Sequence, residues 1–191
     1  GTITLSADGD ITLGRLLTTN DSTAAVRLTS TAGEIVDGGD TGGADVQATS
    51  GRLVIASATG VGASNALETK VDSLEVVNAT SGHISISDAS TDALLVVNAV
   101  QQTAGNLQIV SDGTLTVVDN GVAGNAVATV DGTVTLEAVA AQVNDGIQSV
   151  DGNITVTADN NISLSDGTLI DAGSGTITLS ADGDITLGRL L

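Results

Sequence analysis

Residues 1–17, GTITLSADGDITLGRLL, return letter for letter as residues 175–191. Such a run of identities does not recur by chance, and the offset between the two copies sets the length of a tandem repeat. The expected organisation is one full repeat over residues 1–174 and the opening of an identical repeat over 175–191. The chain begins at Gly1 without an initiator Met, signal peptide, capping segment or apolar membrane-spanning run. We therefore expect an excised stretch of a longer tandem array.

Within the repeat a looser signature recurs, a Gly followed by apolar residues two and four positions later. It reads Gly1-Thr-Ile3-Thr-Leu5, Gly33-Glu-Ile35, Gly51-Arg-Leu53-Val-Ile55, Gly82-His-Ile84-Ser-Ile86, Gly105-Asn-Leu107-Gln-Ile109, Gly132-Thr-Val134-Thr-Leu136 and Gly152-Asn-Ile154-Thr-Val156, and returns at Gly175. These glycines divide the repeat into seven intervals of uneven length, short from Gly33 to Gly51 and long from Gly51 to Gly82. Second copies follow at Gly9-Asp-Ile11-Thr-Leu13, Gly113-Thr-Leu115-Thr-Val117 and Asn160-Asn-Ile162-Ser-Leu164. Period-two alternation makes each segment a short strand with one buried face, and Gly, Asp and Asn between them supply corners. The expected fold is all-β, a right-handed parallel β-helix (β-solenoid) with about seven coils per repeat. At the interstrand spacing of ~4.8 Å, one repeat advances the rod by roughly 34 Å.

Composition supports a thin core. The chain contains no Phe, Trp, Tyr, Pro, Cys or Met, yet 41% of it is hydrophobic. A thick globular core normally uses aromatic rings, whereas stacked rows of Val, Ile and Leu fill a narrow solenoid. Disorder is disfavoured by the same apolar content and regular alternation. The competing fold is a pair of antiparallel immunoglobulin-like sandwiches, for which the eight Asp-Gly dipeptides would be hairpin turns. Five Lys and Arg against 23 Asp and Glu give a formal charge of −18, which excludes a basic surface for nucleic acid or anionic membrane. Absence of cysteine fits a bacterial surface protein exported unfolded, and equally a cytosolic one.

GTITLSADGDITLGRLL, the later SGRLVIASA and the run DGNITVTADNNISLSDGTLIDAGSG resemble the repeat regions of filamentous-haemagglutinin-type exoproteins and related giant bacterial surface proteins. The resemblance covers nearly the whole chain. It implies a right-handed β-helical rod secreted across the outer membrane that holds functional tips away from the cell. The chain departs from that family in setting coils of irregular length inside a long, near-perfect superrepeat.

Residues with chemistry are few. His83, the single histidine, lies on the polar phase of its strand and is expected at the surface, with no thiol to activate and no triad spacing. Asp8 and Asp10, repeated as Asp182 and Asp184, and the Asp37, Asp40 and Asp45 carboxylates of a Gly-rich loop form a weak Ca²⁺ pattern. That pattern lacks the regular nonapeptide rhythm of calcium β-rolls, and Asp before Gly is ordinary turn chemistry. The Thr2/Thr4, Thr114/Thr116, Thr133/Thr135, Thr155/Thr157 and Thr176/Thr178 pairs suit an ordered-water surface or simply an exposed pleat. Asn-x-Ser/Thr sequons at Asn20, Asn78, Asn153 and Asn161 carry no assigned role.

The function expected is a structural segment of a long extracellular or cell-surface repeat protein, a filament, fibre or adhesin stalk. No catalytic residue, cofactor or firm metal site is expected, and Ca²⁺ is the one ion the residues suggest. The expected partners are neighbouring repeats stacked end to end; lateral self-association of rods is compatible with the residues, and membrane insertion is not expected. A ligand-binding face for carbohydrate, ice or a host receptor is the second reading, and a β-helical carbohydrate-active enzyme the third.

Overall fold

A computed structural model describes residues 1–39, 43–118 and 124–190. Among them there is no helix, and the strands stack in parallel as a β-solenoid of about eight turns. Parallel stacking excludes the sandwich alternative, whose Asp-Gly hairpins require antiparallel neighbours.

Two sets of strands, the walls, define each coil, and the first set divides into two laddered segments in the later coils, as in Ile162–Leu164 and Leu169–Asp171, so that these coils have three strand segments. The first wall is drawn by strands such as Ile3–Ala7 and Val26–Ser30, the second by Ile84–Asp88, Ile154–Ala158 and Ile177–Ala181. In each, alternate residues point inward, as in Ile154, Val156 and Ala158, because the side-chain period of a strand is two. Inward residues stack in columns. On the first wall Leu5, Leu28, Ile55, Val76, Ala99, Val127, Ile147 and Ile170 pair in succession. On the second wall the column is Ile11, Ile35, Val61, Ile84, Leu107, Val134, Ile154 and Ile177. Burying each such aliphatic side chain contributes about 1.5–3 kcal/mol, and no ring is needed to bridge a core this thin.

Consecutive members of the second column are close to evenly spaced along the chain. The glycine signature is much less even, and the difference is a correction. Gly33, Gly82, Gly105, Gly132, Gly152 and Gly175 precede that column and share one corner, together with Gly9 and Gly60. Gly1 and Gly51 precede Ile3 and Leu53 instead, which face the first wall. A Gly-x-apolar-x-apolar signature marks both corners, so the sequence alone mixes them.

The shared corner is tight. A Cβ on Gly152 would lie 1.8 Å from the Gly132 carbonyl oxygen, and one on Gly82 1.9 Å from the Thr59 carbonyl oxygen. Gly82 also has φ of 86°, a region that L side chains avoid.

The duplicated segment changes wall. Ile3 stacks on Val26 in the first wall, whereas its sequence twin Ile177 stacks on Ile154 in the second. Ile11 lies in the second wall, whereas its twin Ile185 stacks on Ile162, which follows Ala141 and Leu115 in the first. One sequence repeat is therefore not a whole number of coils: Ile177 stands seven coils after Ile11 in the same column, and Ile185, the twin of Ile11, falls on the next strand segment.

Candidate functional site

Two families of polar side chains line the corners, and both are occupied in holding coils together. Ser57, Asn78, Gln101, Thr129 and Ser149 stack coil on coil at the end of the first wall, all at most 4% exposed. Ser57 Oγ donates to Asn78 Oδ1 at 2.9 Å, and Asn78 Nδ2 donates to Gln101 Oε1 at 2.9 Å and to the Ser81 carbonyl at 2.7 Å. Ser149 Oγ donates to the Gly132 carbonyl at 2.8 Å and accepts from the Gly152 amide at 2.8 Å, as Ser30 does with Gly9 and Gly33. These contacts satisfy backbone groups that the corner removes from the strand ladder.

The second family follows the corner glycine. Asp10 Oδ1 accepts from the Glu34 amide at 2.9 Å, His83 Nδ1 from the Asn106 amide at 2.9 Å, Asn106 Oδ1 from the Thr133 amide at 3.0 Å, and Asn153 Oδ1 from the Thr176 amide at 2.8 Å. His83 is exposed, as expected, and serves this ladder with Nδ1 as an acceptor, which leaves the ring proton on Nε2. Asp8 Oδ1 accepts from Thr31 Oγ1 at 3.0 Å, and Asp184 donates its amide to Asn161 Oδ1 at 2.8 Å. Asp182 is exposed. Asp8 and Asp10 thus belong to corner hydrogen bonding. Of the sequons, Asn78 is fully buried, and Asn20, Asn153 and Asn161 use their side-chain oxygens on neighbouring amides.

Among the described residues one carboxylate cluster stands apart. Asp37 ends the strand Ile35–Asp37, Asp45 precedes the strand Val46–Ser57, and Glu68 lies in Leu67–Asn78 one coil on. One oxygen from each lies within 4.8 Å of the others. Asp45 is 0% exposed; its Oδ2 accepts from the Glu68 amide at 3.3 Å, and its Oδ1 is buried with no hydrogen-bond partner. Burial, then repulsion from Asp37, pushes the Asp45 carboxyl up to about 7. Asp37 Oδ1 accepts from the Gly39 amide at 2.6 Å, and Asn65 Nδ2 donates to Asp37 Oδ2. Asp40, the remaining member of the expected loop, lies outside the described residues. Glu68 was missed from the sequence. Its signal was present, because it follows Asp45 by one coil length, and the residues beside each, Val46 and Thr69, pair.

Asp88 is a second buried carboxyl, in the column between Thr69 and Ser111. Its Oδ1 accepts from Thr69 Oγ1 at 2.8 Å and the Val71 amide at 3.1 Å. Burial outweighs these bonds and raises it to about 6.

Outward rows are mixed. Along the second wall the register runs Ser85, Gln108, Thr135, Thr155, Thr178; along the first it runs Thr4, Arg27, Val54, Glu75. Threonine is continuous for three coils only. A shallow hollow of about 630 Å³ carries Asp21, Asp72, Glu75 and Arg52, with Arg52 Nη1 3.6 Å from Glu75 Oε2. The paired base closes the carboxylate nearest to it.

The features together define a parallel β-solenoid whose conspicuous polar side chains stitch coil to coil. No protein-family model, curated protein or solved structure matches the chain.

Proposed function

We propose that the chain is a structural segment of a long extracellular repeat protein, a filament or adhesin stalk of the filamentous-haemagglutinin type. The observation that carries this reading is the parallel stack combined with the tandem repeat: residues 1–17 recur as 175–191, and coil stacks on coil throughout the described residues. Fully buried aliphatic columns run from coil to coil, as where Leu107 pairs with Val134 and Val134 with Ile154, and a coil contacts only the coils beside it. Strand Ile3–Ala7 pairs on one side with Val26–Ser30, and Ile177–Ala181 on one side with Ile154–Ala158. Because the repeat is seven coils and a fraction of a turn, each copy is rotated about the rod axis relative to the copy before.

The acidic surface keeps such rods apart in solution and makes end-to-end stacking of neighbouring repeats the favoured association. The mixed outward rows and the ion-paired hollow favour neither a ligand-binding face nor a carbohydrate-active enzyme. Antibodies raised against the chain test the reading: they label thin fibres on intact cells of the source. Labelling that appears only after the envelope is opened would contradict an extracellular stalk.

A further inference from the structure

We propose that Asp37, Asp45 and Glu68 form a site for a hard divalent cation of the Ca²⁺ class, which clamps both ends of one loop to the coil that follows. Three observations converge. Oxygens of these side chains lie within 4.8 Å of one another, the span that an ion with ligands at about 2.3–2.6 Å can bridge. Asp45 Oδ1, on the fully buried member of the group, has no hydrogen-bond partner. A buried carboxylate oxygen without a donor is costly unless a proton or cation meets it. The placement is also mechanical: Asp37 and Asp45 flank the loop between Ile35–Asp37 and Val46–Ser57, and Glu68 belongs to the next coil.

Arg15 and Lys70 line a hollow beside Glu68 together with Gly43 and Ala44, and neither donates to Asp45 Oδ1. Oxygen-only ligands favour Ca²⁺ over zinc or copper, and an irregular set of three carboxylates favours it over Mg²⁺, which demands octahedral geometry.

The proposal rests on two adjacent coils and is independent of the filament reading. It is tested by titrating CaCl₂ into the whole chain at pH 8 and 0.15 M NaCl by calorimetry, with MgCl₂ in parallel. One saturable Ca²⁺ site per chain is expected, at least tenfold weaker for Mg²⁺. Asp45→Asn and Glu68→Gln each weaken it tenfold or more, and Asp8→Asn, remote and hydrogen-bonded to Thr31, leaves it unchanged. Far-UV circular dichroism checks that each variant is folded, and Glu68→Gln alone decides if Asp45→Asn is not. Heats that never saturate, which a diffuse charge of −18 also produces, overturn the site. So does a saturable site that survives both substitutions.

Discussion

Asn78→Ala probes how the coils are joined. Asn78 is fully buried and spans three coils: it accepts from Ser57 Oγ, and it donates to Gln101 Oε1 and to the Ser81 carbonyl. Alanine leaves the Ser57 hydroxyl and Gln101 Oε1 unpaired, and both residues are buried, at 4% and 0% exposure. Each orphaned buried group costs about 1–3 kcal/mol, so the variant should lose on the order of 3–5 kcal/mol once the small cavity is included. Urea unfolding followed by far-UV circular dichroism measures this, since the chain has no aromatic residue for fluorescence. Coils contact only their neighbours, so amide exchange should accelerate in Val46–Ser57, Leu67–Asn78 and Leu94–Ala104 while Ile154–Ala158 stays protected. Thr178→Ala, on an exposed position, should stay within about 0.5 kcal/mol of the parent. A loss below about 1 kcal/mol for Asn78→Ala, or a loss of protection spread evenly over the chain, would refute the stitching account.

Gly152→Ala places a methyl 1.8 Å from the Gly132 carbonyl oxygen and should cost roughly 3 kcal/mol or more, against no more than about 1 for Gly9→Ala, whose Cβ meets nothing within 4 Å; urea midpoints of the two variants decide it. Asp88 is raised to about 6 in the folded chain, so its contribution is fully present below pH ~4 and is lost as pH rises through 6. That loss is roughly 3 kcal/mol from a shift of about two units, and Asp88→Asn should flatten the stability profile between pH 4 and 7 by a similar amount, with parallel profiles contradicting the burial argument. Ile154→Ala, in the middle of a column, should lose about 2–5 kcal/mol by the same assay, whereas Ile185→Ala, 41% exposed, should lose less than half as much.

Much of this fold is legible in the sequence, for a physical reason. A coil is closed by local alternation, so Gly152-Asn-Ile154-Thr-Val156 announces a corner and a wall without reference to distant residues. What the alternation does not encode is which wall a signature occupies. Gly51-Arg-Leu53 and Gly82-His-Ile84 look alike, yet Leu53 stacks on Val26 in one wall and Ile84 on Val61 in the other. The same ambiguity hides the change of ladder between Ile3 and its twin Ile177. Site residues divide along the same line. Asp37 and Asp45 stand out because they share a loop, whereas Glu68 and Asp88 sit in ordinary alternating strands and gain their meaning only from the residue one coil away. Asp10 and His83 look like free functional groups in sequence because backbone partners, the Glu34 and Asn106 amides, are invisible there.

The central claim is that the sequence repeats stack end to end into one continuous rod, and electron microscopy of chains with two, four and eight repeats tests it most directly. Unbranched rods that lengthen by ~36 Å per repeat are expected, from between seven and eight coils at the interstrand spacing of ~4.8 Å. Strings of separate globules, or rods whose length does not grow in proportion to the number of repeats, would contradict it.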